Sequence, residues 1–439
     1  MAWFDSAIFY HIYPLGLLGA EKVNQEPEIR HRLSELHGYV QYLKVLGCDA
    51  VYIGPVFESG SHGYDTIDYK TIDRRLGSNE DFRDFVKLAH NFGLRVIVDT
   101  VFNHTGRGFF AFRDLQAHGR DSRYRDWYKG VNFDWGSPCG DSFSYSCWGG
   151  DHNLPELNFN NEEVRKYLIE VVRFWVEEFD IDGLRLDCAD VLDLSFQRAL
   201  RYYTIGMKPE FWLMGEVIHG QYERWVNSET LHSVTNYELH KSIYSGFNSR
   251  NFFEIAHNVN RLLPIGRDLY TFLENHDQDR IASRLENPAH LRLAYMALFT
   301  LPGKPSIYYG GEFGLKGVRT PYDDSPLRPA LSAEMKPNAL TSFIAKLAEI
   351  HGKNTELHMG VYKELYLQCC QYAYARLDGN SAVVTVLNID DKASVLKLGL
   401  PIKGTLAFDL LKEEEIPIDS ENKIVIHLPA NSGMIIKVK

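Results

Sequence analysis

The chain has 439 residues, 45% hydrophobic, 13% aromatic and 24% charged, which is the make-up of a folded globular protein and excludes disorder. Its 47 Lys+Arg against 58 Asp+Glu give a net charge of −11, which argues against nucleic acid or an anionic membrane as partner, since both require a basic footprint. No uninterrupted run of about 18 apolar residues offers a membrane span, and MAWFDSAIFYHIYPLG lacks the basic start and clean apolar run of a signal peptide.

In chain order, short apolar runs alternate with helical patterns, the signature of repeated βα units and a parallel sheet. AIFYHIYP (7–14) reads as a strand. HRLSELHGYVQYLKVLG (31–47) reads as a helix with Leu33, Leu36, Val40, Leu43 and Leu46 on one face before Gly47. AVYIGPVF (50–57) is the second strand, followed by a helix from about Ser78, its N-cap, to Phe92, with Gly93 just past the end. RVIVDTVFNH (95–104) is the third strand.

The rhythm then breaks. Residues 105–160 pass before the next helix (about 161–179), and a connection that long is functional or a small subdomain. The cycle resumes with strands at GLRLD (183–187), FWLMGEV (211–217), SVTNYEL (233–239), LYTFLENHD (269–277) and PSIYYGGE (305–312). Eight strands fit a (β/α)8 barrel better than an open doubly wound sheet. From about 356, alternating strands with tight turns, as in ARLDGNSAVVTVLNI, predict an antiparallel β domain packed directly on the barrel. The expected division is a barrel of 1–104 and 161–355, an inserted subdomain at 105–160 and a C-terminal β domain at 356–439.

Cys48, Cys139, Cys147, Cys188, Cys369 and Cys370 form no CxxC metal pattern. They are expected to be free thiols in a cytoplasmic protein, a Cys139–Cys147 bridge within one loop being the alternative.

In barrels of this kind, reactive groups sit at the carboxyl ends of the strands. Asp99, Asn103 and His104 fall there after strand three, Arg185 and Asp187 at strand four, Glu216 at strand five, and His276 and Asp277 at strand seven. Singly, each has a structural explanation as a cap or a hydrogen bonder. Carboxylates converging from separate strands on one mouth repel one another, and structure alone gains nothing from that. A metal hydrolase would want HxH or HExxH spacing, which is absent. Glycoside hydrolysis wants one ionised and one protonated carboxyl flanking the scissile bond, and no metal.

DTVFNH (99–104), GLRLDCAD (183–190), GEVIH (215–219) and FLENHD (272–277), with LPELN (154–158) and YDTIDYKTID (64–73), resemble the signatures of the α-amylase family of retaining glycoside hydrolases. The resemblance covers essentially the whole chain and implies roles. Asp187 matches the nucleophile, Glu216 the general acid/base and Asp277 the third, transition-state-stabilising carboxylate. Arg185 matches the arginine beside the nucleophile, and Asp99 the partner that holds it. His104 and His276 match hydrogen bonders to the cleaved sugar, and Tyr64 its stacking platform. Asp324 and Arg328 match a pair gripping the next sugar on the non-reducing side. From the residues alone, Arg185 on the same strand face is expected to keep Asp187 ionised. Phe109, Phe110, Trp127, Tyr128, Trp135, Tyr145 and Trp148 are left open between sugar stacking and a subdomain core.

LPELN and the short insertion look most like the neopullulanase and cyclomaltodextrinase branch. Two departures stand out: the barrel begins almost at residue 1, without that branch's N-terminal domain, and Ile218 stands where the branch tends to have Trp. Calcium is common in the family and Asn103 matches a ligand position in some members. The first βα loop, GLLGAEKVNQEPEIR, lacks clustered Asp/Asn oxygens, so no metal or cofactor is expected to be required. The expected activity is hydrolysis of α-1,4 bonds in an α-glucan oligosaccharide such as a maltodextrin or cyclodextrin. Transglycosylation, α-1,6 or α-glucosidase activity, and a non-catalytic sugar-binding homologue are the alternatives.

Overall fold

Runs such as FYHI and AVYI are apolar on both faces, and they become strands buried on both sides. In the computed structural model, which describes residues 2–332 and 335–439, eight strands form one parallel sheet. They are β1 Phe9–Ile12, β2 Ala50–Ile53, β3 Arg95–Thr100, β4 Gly183–Leu186, β5 Trp212–Gly215, β6 Ser233–Val234, β7 Tyr270–Phe272 and β8 Lys304–Tyr308. Neighbours run in chain order from β1 to β6, with β8 between β1 and β7. A parallel bridge from Thr235 to Tyr270, with the Asn236 amide donating to the Tyr270 carbonyl at 2.8 Å, joins β6 to β7 and completes the (β/α)8 barrel.

Residues two apart along a strand share a face, and this alternation places the site. Phe9, Tyr52, Ile97, Trp212, Met214, Tyr270 and Phe272 pack together inside the barrel. Continuing the same faces upward leads from Ile97 to Asp99, from Gly183 to Arg185 and from Met214 to Glu216. Gly183 leaves room for this filling, since a Cβ there would lie 2.5 Å from the Trp212 carbonyl oxygen.

The helix His37–Leu46 buries Val40, Leu43 and Leu46 and stops at Gly47, whose φ of 93° and close approach to Ala348 both favour glycine. Leu33 and Leu36 of the expected 31–47 helix lie instead in a 3-10 turn, Arg32–Leu36. Asn79–Asn91 starts on a capping box between Ser78 and Asp81, an arrangement worth about 1 kcal/mol.

One expected strand is corrected. SVTNYEL is strand only at Ser233–Val234, with one further bridge at Thr235. The Asn236 side chain then accepts from the Leu239 amide and caps the helix Tyr237–Asn248, because Asn satisfies the free N–H groups of a helix start.

The insertion after β3 carries a helix, Phe110–His118, and a few isolated bridges. Phe109, Phe112, Trp127, Tyr128, Phe143 and Tyr145 are buried in it, whereas Phe110 and Trp135 are exposed. LPELN is sewn to the end of β3 by bonds from the Leu157 amide to Asn103 O (2.9 Å) and from the Thr105 amide to Pro155 O (3.1 Å).

After a short helix, Thr355–Met359, where a strand region was expected to begin, the C-terminal strands form a six-stranded antiparallel sheet and a two-stranded one. Gly379 and Asn380 of ARLDGNS make the tight turn, with Asp378 paired to Ser381. One face of this sheet joins the barrel core through Tyr372, Tyr374, Val383, Leu387 and Ile435, and the other covers its own core with Leu396 and Ile426. All six cysteines are free, and among the described residues no helix is long and apolar enough to cross a membrane.

Candidate active site

The ten residues to which the resemblance gives roles come together. Tyr64, His104, Asp187, Glu216, Asp277, Asp324 and Arg328 line one cleft of about 520 Å³ over the carboxyl ends of the strands. Asp99, Arg185 and His276 lie just beneath, bonded to its lining.

Arg185 is the hub. Its Nη1 holds Asp99 Oδ1 and Asp187 Oδ1, each at 2.8 Å, and its Nη2 holds Glu216 Oε2 at 2.8 Å. Asp99 also accepts from Tyr52 (2.8 Å) and Tyr64 (3.0 Å). Glu216 accepts from the Cys188 amide at 3.3 Å and the Tyr237 hydroxyl at 3.1 Å, and the Cys188 thiol donates to Asp187 Oδ2 at 2.9 Å. The expectation that Arg185 alone keeps Asp187 ionised is corrected here. Burial, with Glu216 and Asp99 nearby, outweighs the guanidinium and pushes the Asp187 carboxyl up to about 7, because one cation is shared among three carboxylates.

Across the cleft the balance reverses. Asp277 touches His276 Nε2 (3.0 Å) and Arg328 Nη2 (2.9 Å), and Arg328 also reaches Asp324 Oδ2 at 2.8 Å. Burial works against the charge on Asp277, yet His276, Arg328 and Arg185 hold it well below the usual carboxylate range. The Tyr64 ring stacks on His276 with centroids 5.5 Å apart at 9°, and its hydroxyl lies 2.6 Å from Nε2.

His104 sits in the wall with its Nε2–H directed at the Tyr64 carbonyl (3.0 Å). Burial drives its pKa down to about 4, so the ring is neutral. Trp148 lies parallel to it, 6.2 Å away at 12°; of the seven aromatics left open, it alone lines this cleft. His104, Asp187 and Cys188 are the described group whose ligand atoms fall within 4.8 Å of one another. They already serve as hydrogen-bonded cleft wall.

Sequence reasoning missed Tyr52, Cys188, Tyr237 and Asn275. Tyr52 was legible as the inward residue of β2. Cys188 stood inside the GLRLDCAD signature. Tyr237 was hidden by the strand reading of SVTNYEL, although the Asn before it was a cap signal.

A cleft of opposed carboxylates at the carboxyl ends of a (β/α)8 barrel is the architecture of a barrel enzyme whose chemistry is acid–base and nucleophilic. Residues 33–356 match the family described as alpha amylase, catalytic domain, and the chain belongs to that family, the α-amylase-type glycoside hydrolases. It is 31% identical to a cyclomaltodextrinase of Thermoanaerobacter pseudethanolicus over 99% of this chain and 78% of that one. It is 32% identical to an intracellular maltogenic amylase of Bacillus subtilis over 73% of this chain and 57% of that one. The crystal structure of an Anoxybacillus α-amylase superposes with a TM-score of 0.84 at 25% identity, covering 100% of this chain and 98% of that one. The chain thus spans between somewhat over half and about three-quarters of these two curated relatives' length.

Proposed function

We propose that the protein hydrolyses α-1,4-glucosidic bonds of maltodextrins or cyclodextrins with retention of configuration, Asp187 serving as nucleophile, Glu216 as general acid/base and Asp277 as the third carboxylate. The observation that carries this is the single Arg185 guanidinium gripping Asp187 with one nitrogen and Glu216 with the other. A guanidinium bound to both carboxyls keeps them close together on one side of the cleft, in keeping with the retaining mechanism, in which the pair lies about 5–5.5 Å apart. The substrate class follows the names of the relatives above.

Asp187 attacks the anomeric carbon as Glu216 gives its proton to the departing glycosidic oxygen, leaving a glycosyl ester on Asp187. Water then attacks the same carbon, Glu216 takes its proton, and the Asp187 carboxylate is released. Asp277, kept anionic by His276 and Arg328, opposes the positive charge that develops on the sugar ring. Asp187, raised to about 7 by burial, and Glu216 face the same guanidinium. Tyr64 would pack on the cleaved sugar, and Asp324 with Arg328 would hold the next one. Under this reading the insertion at 105–160 supplies the wall carrying Trp148 and Leu154.

Product analysis on maltoheptaose, a cyclodextrin and pullulan, with NMR of the first-formed anomer, tests the proposal. An α-anomer is expected, and a β-anomer or no cleavage of any of the three defeats it. The free cysteines and the relative named as intracellular support a cytoplasmic location, checked by fractionating the producing cells.

A further inference from the structure

Glu216 is aimed partly by a residue from another element. Tyr237 opens the helix Tyr237–Asn248, and its buried ring meets the edge of Phe272 on β7, centroids 5.0 Å apart at 81°. Its hydroxyl lies 3.1 Å from Glu216 Oε1 and 3.0 Å from Asn275 Nδ2. A phenol has one proton to give, so its direction depends on which end of the Asn275 amide faces it. The backbone settles that. Asn275 Oδ1 accepts from the amides of Asp277 (2.9 Å) and Gln278 (2.8 Å), and two N–H donors exclude an NH2 group from that position. Nδ2 therefore faces Tyr237 and donates to its oxygen, which turns the phenolic proton toward Glu216.

We infer that Tyr237 is a positioning residue for Glu216, its hydrogen bond to Oε1 given a fixed direction, through Asn275, by the backbone of the loop that carries Asp277. The inference rests on the reading of Glu216 as acid/base. It links the two sides of the cleft, because the loop presenting the third carboxylate also orients the group that moves the proton. A donor on Oε1 favours the ionised carboxylate, the form that must accept a proton from water in the second half-reaction.

Tyr237→Phe removes only the hydroxyl. The other charged and titratable groups facing Glu216 or Tyr237, namely Arg185, Asp187, Cys188, Asp190, His240 and Asp277, stay in place. The basic limb of kcat/KM on maltoheptaose is expected to move up by about one pH unit. With α-glucosyl fluoride, whose leaving group needs no proton, kcat is expected to fall about tenfold through the misaimed base while kcat/KM holds, so that KM falls in step. Asn275→Ala frees the hydroxyl to turn and moves the limb the same way by less, and the double variant moves no further than Tyr237→Phe. Should the Phe variant lose its fold, Asn275→Ala carries the test with the ring intact. An unmoved limb in a folded variant, or additive shifts in the double one, overturns the inference. Full hydrolysis of maltoheptaose by Glu216→Gln would strike the acid/base reading itself, so the two failures are distinguishable.

Discussion

The two sides of the cleft use the same residue type in opposite electrostatic settings. At the ends of β3, β4 and β5, three carboxylates, the buried Asp99 and Asp187 and the half-buried Glu216, crowd on one guanidinium. After β7, one carboxylate, Asp277, has His276 and Arg328 beside it. The first setting raises a carboxyl and the second lowers one. Deeper burial and fewer cations per carboxylate on the first side together decide which group can hold a proton near neutrality.

Breaking the crowded side has the largest expected effect. Asp187→Ala should lower kcat on maltoheptaose by at least about 10^4-fold, because no ester can form, with circular dichroism unchanged; near-normal turnover would sink the mechanism. Arg185→Ala should cost activity about 10^3-fold and destabilise by about 3–5 kcal/mol, since it strips the cation from three carboxylates, two of them buried. Denaturant melts read this, and an unchanged midpoint would show that Arg185 is not the hub.

Across the cleft, Arg328→Ala leaves Asp277 with its contact to His276 Nε2. A fall in kcat/KM of about 10^2-fold is expected, against little change if Asp277 needs no such support. The contrast sharpens further in Asp187→Asn. Burial and its neighbours raise the Asp187 carboxyl to about 7, so ionising it in the folded state is disfavoured. That penalty is absent below the ordinary carboxylate range, where both states are protonated. It grows as pH rises and is complete above about 7. The Asn variant should therefore melt a few degrees above the parent at pH 8, with the gap closing toward pH 4. A gap independent of pH would rule out this origin. The smallest effect belongs to Asp324→Ala, which leaves Arg328 to Asp277 alone. A rise in KM of about threefold at constant kcat is expected, and a large loss of kcat would place Asp324 in the chemistry.

Much of this was legible because period-two and period-3.6 patterning are local properties. The βα cycle, the Ser78 cap and the inward alternation of Arg185 with Asp187 needed only neighbours in the chain. The strand reading of SVTNYEL failed because its apolar and β-branched residues outweighed one cap signal, and with it went Tyr237. The protonation of Asp187 was misjudged for a different reason. The sequence displays Arg185 two residues away but not Asp99 and Glu216, which reach the same guanidinium from β3 and from just beyond β5.

By itself, then, the sequence determined the elements, their order and the types of reactive residue at the strand ends, since these follow from periodicity and from where a barrel presents its open mouth. Only the tertiary structure decided how many carboxylates share each cation, which way the Asn275 amide faces, and which aromatics of the insertion are buried rather than lining the cleft. Those properties are distances between segments remote in the chain, fixed when the barrel closes between Thr235 and Tyr270.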